Sequence, residues 1–149
     1  MAAGAWTFYN ASKKHLMDGL IDLDSDTFQM SLYTSASNAA TATLSTFAGV
    51  TNEIAGGHGY TTSGKAITGV TWGTGASASE MRFNSAAIVW TATGGDIQNI
   101  KYAVLWKIAA SATARKLLCY SQLSTAQFTV TSGNTLTITP SANGYFELN

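Results

Sequence analysis

Ionised side chains are scarce in this chain. Lys plus Arg number 8 and Asp plus Glu number 8, so 11% of the 149 residues are charged and the formal net charge is zero. Ordinary soluble domains carry roughly 25%. The only basic runs are the pairs Lys13-Lys14 and Arg115-Lys116. A protein that displaces counterions from nucleic acid needs a concentrated basic face, so nucleic acid is not an expected partner. There is one cysteine, Cys119, within the apolar string LLCYSQL; it can form no intramolecular disulfide and reads as a buried, inert thiol. Long apolar runs are missing too, and the start carries no basic stretch leading into an apolar segment. Neither a membrane span nor a secretion signal is expected.

Groups able to do chemistry are equally sparse. His15 and His58 are the only histidines, far apart and without companion ligands, so no metal is expected. Asp22, Asp24 and Asp26 in IDLDSD resemble the opening of a calcium loop. Thr27 stands where that loop needs glycine, however, and Tyr33 where it needs a bidentate glutamate, so a solvated turn is expected. Outside residues 18–26 the carboxylates are Glu53, Glu80, Asp96 and Glu147, and no G-x-S-x-G elbow occurs. Gly59 to Lys65, in GHGYTTSGKA, fits the G-x-x-x-x-G-K spacing of a phosphate loop. Ala66 replaces the hydroxyl residue that would hold magnesium, and AITGVTW downstream has strand-forming rather than helix-forming composition. The glycines are therefore predicted to make a turning loop that exposes His58 and Tyr60. No cofactor and no enzymatic activity are expected.

What the chain has in quantity is apolar residues, 46% of the total, set among Ser, Thr, Ala, Asn and Gly. That is enough for a core in one domain spanning 1–149. NASKKHLMDG, residues 10–19, reads as the one helix, with Asn10 as its cap, Leu16 and Leu20 on one face and Gly19 at its end. From there the apolar period becomes two. Phe28, Met30 and Leu32 alternate with Gln29, Ser31 and Tyr33; Met81 with Phe83, and Ile88 with Trp90, follow the same rule. IKYAVLWKI is apolar on both faces, as a central strand should be. TSASNAATATLSTFAG reads as a long surface loop pinned by Leu44 and Phe47. The single proline, Pro140, falls at a strand end. About eight short strands and one helix predict an all-β, antiparallel, jelly-roll-like β-sandwich. Trp6, Phe8 and Tyr9 crowd residues 1–9, an N-terminal arm. They either staple the helix to the sheets or reach out to a neighbour.

Longer strings carry a resemblance. AWTFYNASKK, IDLDSDTFQMSLYTSASNAATATLST and TNEIAGGHGYTTSGKAITGVTW, then IVWTATGGDI, KYAVLW, LLCYSQL and GNTLTITPSANGYFEL, together resemble a family of small virion proteins of tailed bacteriophages. The resemblance is collinear over nearly the whole chain. It implies a structural protein of the particle, similar to capsid cement (decoration) proteins, which sit as jelly-roll sandwiches on the outer surface of the capsid. The implied partners are the major capsid protein and further copies of the chain, as a dimer or trimer. Trp6, Phe8 and Tyr9 on the arm, with His58 and Tyr60 on the glycine loop, are the expected partner contacts. The alternative is a receptor- or glycan-binding tail module, with Tyr60 or the 35–46 loop stacking on sugar.

Overall fold

The computed structural model describes residues 4–148. The chain opens with β1 (Trp6–Phe8), passes directly into α1 (Asn10–Met17), and continues through β2 (Phe28–Tyr33), β3 (Lys65–Ala66), β4 (Thr71–Thr74), β5 (Met81–Asn84) and β6 (Ile88–Thr91). It then forms β7 (Ile97–Ile100), β8 (Tyr102–Lys107), β9 (Leu117–Gln122), β10 (Phe128–Val130), β11 (Thr135–Ile138) and β12 (Phe146–Leu148). The protein is all-β with one short helix and several sheets, every strand pair antiparallel.

A five-stranded sheet, in the order β1-β9-β8-β2-β3, forms the body. Its middle strand is β8, as the two-faced apolar pattern requires. Ala103 and Leu105 join one buried cluster and Val104 and Trp106 join another. On the first face lie Phe28, Met30 and Leu32, meeting residues of the small sheets β4-β5-β12, β6-β11 and β7-β10. The second face carries Tyr33, Val104, Trp106 and Leu117, covered by Tyr9, Ala39, Leu44, Phe47 and Val50. Alternation along β2 and β8 thus feeds two apolar layers from one pair of strands.

The long loop after β2 is ordered by its own polar residues. Asn38 donates to the Gly49 carbonyl at 2.9 Å and accepts from the Thr51 N–H at 2.8 Å. Phe47 begins a short 3-10 turn and packs on Trp106 at 4.6 Å between ring centroids.

Several expectations need correction. The strands number twelve among the described residues, because three- and two-residue strands such as β1 and β3 are too short to show a period. IKYAVLWKI is two strands: Ile100 pairs with Phe128, whereas Tyr102 pairs with Tyr33 and Gln122. The break falls at Lys101, between the end of β7 at Ile100 and the start of β8 at Tyr102. Asn10 does not cap the helix but is its first residue; Tyr9 holds the cap position without a side-chain bond. Leu20 lies beyond the helix and is exposed, while Gly19, at φ 69°, does form the left-handed stop.

Candidate functional site

The predicted contact residues separate into two groups. The described part of the arm is not free: Trp6, Thr7 and Phe8 pair with Ser121, Tyr120 and Cys119 as the edge strand of the main sheet. Trp6 meets Tyr145 edge-on at 4.9 Å, and Phe8 lies 4.2 Å from Phe146. Tyr9 is fully buried, its hydroxyl donating to the Ala39 carbonyl at 2.6 Å. Burial pushes that hydroxyl's pKa well above the usual tyrosine value. These three side chains staple the arm across both layers, as the first of the two sequence readings allowed. Residues 1–3 of the arm lie outside the described residues.

Tyr60 also departs from expectation: it is 2% exposed. β3 pairs only with Gln29 and Met30, so the main sheet's ladder stops short of Leu32 on that side. The Tyr60 hydroxyl fills the gap, accepting the Leu32 N–H at 3.0 Å and donating to Glu53 Oε1 at 2.6 Å. The same carboxylate oxygen accepts the Ser63 N–H at 2.6 Å. Desolvation raises the Glu53 pKa, and the hydrogen bonds from Tyr60 and Ser63 oppose the rise. Glu53 and Tyr60 therefore lock a loop to the body.

His58 is exposed, at φ 54°, and stands on the rim of a cleft of about 520 Å³. The backbone from Ile54 to Gly57 forms one wall, and Gly95, Asp96, Gln98 and Asn99 form the other. Sequence reading missed this cleft because its walls lie some forty residues apart. The glycine doublets Gly56-Gly57 and Gly94-Gly95 were its one local signal.

The other motifs resolve into structural bonds. Gly64-Lys65 leads into strand β3, and Lys65 donates to the Val89 carbonyl at 2.9 Å. Asp22 accepts the N–H groups of Asp24 and Ser25, and Asp26 pairs with Lys107 at 2.7 Å, closing the aspartate turn. Glu147 is held by Arg82 at 2.9 Å, and Glu80 accepts the Ser77 N–H at 3.1 Å. Cys119 is buried in β9, and desolvation raises its thiol pKa well above the ordinary value.

A second feature is apolar and uncovered. On β4, β5 and β12, Trp72, Phe83 and Phe146 are in register, and two residues further along Thr74, Met81 and Leu148 are in register on the same face. Phe83 is buried, but Met81 is 38% and Leu148 40% exposed. The apolar face thus runs past the edge of the core. The end of α1 abuts this overhang: Leu16, Met17, Ile21, Leu23, Trp72 and Leu148 line one open groove of about 430 Å³, with Gly19, Asp22 and Asp24 also on its lining. Met17 is 84% and nearby Leu20 46% exposed.

The fold places the chain among all-β proteins. No known protein family matches the sequence, and neither a curated protein nor a solved structure matches it.

Proposed function

We propose that the protein is a structural component of a tailed-phage particle, a cement or decoration protein bound to the outer surface of the capsid shell. The observation that carries this reading is the apolar overhang formed by Met17, Leu20, Met81, Leu148 and the rim of Trp72. A larger protein surface laid over it removes those side chains from water, each worth about 1.5–3 kcal/mol when fully buried. Asp22 and Asp24 stand on the groove's lining, and a partner laid over it would have to leave them hydrated or pair them. The phage assignment itself starts from the resemblance read in the sequence, and no matching family or curated protein adds to it. In this reading the body is a jelly-roll-like sandwich and acts by contact area, with no bond made or broken. The partners are the major capsid protein and further copies of the chain, as a dimer or trimer around a symmetry axis. Repetition over many equivalent sites makes modest individual contacts sufficient.

The test uses particles assembled without the chain, to which purified protein is added back. Wild type is expected to co-sediment with the shells and to restore resistance to heat and osmotic shock. Met17→Asp combined with Leu148→Ser is expected to abolish both while leaving the fold intact. Unaltered binding by that variant, or shells equally robust without the chain, would refute the assignment.

A further inference from the structure

We infer that the cleft between the Ile54–His58 loop and the Gly95–Asn99 segment is a binding site for a neutral saccharide unit. Its volume, about 520 Å³, falls within the roughly 300–1,000 Å³ of small-molecule sites. Its lining is polar but nearly uncharged: His58, Asp96, Gln98, Asn99, Thr34 and the backbone of Gly56-Gly57.

The hydrogen-bonding capacity left over there is mixed. Asp96 gives one oxygen to the Ser132 N–H at 2.8 Å, and its second oxygen takes no hydrogen bond among the described residues. Asn99 uses its carbonyl to accept from Gln127 Nε2 at 3.1 Å, which leaves its NH2 group to donate elsewhere. The Gln98 amide and the His58 ring nitrogens have no partner among the described residues. Acceptors and donors of these kinds, side by side, match a ligand whose own groups both donate and accept.

Other ligand classes fit less well. No lysine or arginine lines the cleft, and Asp96 opposes an anion. No cluster of three or more metal-ligating side chains occurs among the described residues. The lining offers no Phe, Tyr or Trp ring for a nucleobase to stack on, since the nearby Tyr60 is buried. A polyol remains, its hydroxyls spanning the carboxylate and the amides.

The walls are also pre-shaped. His58 and Asn99, on opposite sides, both hold left-handed backbone at φ 54° and φ 63°, a conformation that clusters at ligand sites. The imidazole is seated against Gly95, where a Cβ would stand 2.3 Å from Nδ1. Across the base, the Thr93 N–H donates to the His58 carbonyl at 3.0 Å, joining the two walls. Binding then orders little that is not already ordered, which lets a small ligand bind measurably.

The experiment follows backbone amide shifts of the full chain while methyl glucoside, methyl galactoside, N-acetylglucosamine and glucuronate are titrated separately. At least one neutral sugar is expected to shift amides within 54–58 and 95–99 at millimolar concentration, with glucuronate weaker. Gln98→Ala and Asp96→Asn are expected to weaken binding about tenfold or more. The Gln98 side chain is exposed and makes no hydrogen bond among the described residues, so its variant keeps the fold. Trisaccharides of the active sugar identify the source. Tighter binding with length marks a polymer chain, and equal affinity marks a free sugar; both uphold the site. Silence of these amides toward every neutral sugar, or titrations unchanged in both variants, overturns it.

Discussion

Removing one oxygen atom, in Tyr60→Phe, tests how the glycine loop is held. That hydroxyl serves two partners, the buried Leu32 N–H and the partly buried Glu53 carboxylate. A hydrogen bond to a charged group contributes about 1.5–3 kcal/mol, and a buried N–H left without an acceptor costs about 1–3 kcal/mol. Glu53 keeps its bond from Ser63, and water reaches its exposed side, so the two figures do not add in full. A loss of about 3 kcal/mol is expected, or a fall in Tm of roughly 6–12 °C for a chain of this size. Urea unfolding at several pH values measures it. The loss should grow as rising pH ionises Glu53, because the charged carboxylate depends on its donor more than the protonated one does. A cost below about 1 kcal/mol, or one independent of pH, would refute this account of the loop.

Further outcomes follow from the same structure. Because burial raises the folded-state pKa of Glu53 above its unfolded value, its contribution to stability is fully present below the unfolded pKa and is lost as pH rises through the folded one. Glu53→Gln, which keeps the acceptor and removes the charge, should flatten the stability profile from pH 4 upward; an unchanged slope would contradict this. Gly64→Ala places a Cβ 1.9 Å from the Met30 carbonyl at φ 88° and should cost more than about 3 kcal/mol. Gly19→Ala, at φ 69° with nothing within 4 Å, should cost only about 1 kcal/mol in the same denaturant series. The Cys119 thiol should resist a thiol reagent in native buffer and react at the rate of unfolding, followed by absorbance; rapid labelling of the folded protein would show that its cover is incomplete.

Legibility in the sequence tracked the range of the forces involved. β2, β6 and β8 were readable because their alternation is local and their cores lie on fixed faces. β8 even showed its central position, since Val104 and Trp106 serve one layer and Ala103 and Leu105 the other. β1 was hidden because three residues before a helix carry no period, and only its pairing with Ser121, Tyr120 and Cys119 makes it a strand. Tyr60 looked exposed among glycines, and its burial depends on Leu32 and Glu53, at positions no spacing rule connects. The apolar overhang was half visible. Met81 was expected to share a face with Phe83, and it does, but the sequence does not reveal where the cover ends. Of the five anticipated contact residues, His58 alone stands exposed beside a cleft.

Imaging of the intact particle, at a resolution that places individual side chains, tests the central claim most directly. Density for this chain is expected on the outer surface of the head, with Met17, Leu20 and Leu148 turned onto the shell subunits. Particles that lack the chain, or a bound chain with that face open to solvent, would contradict it.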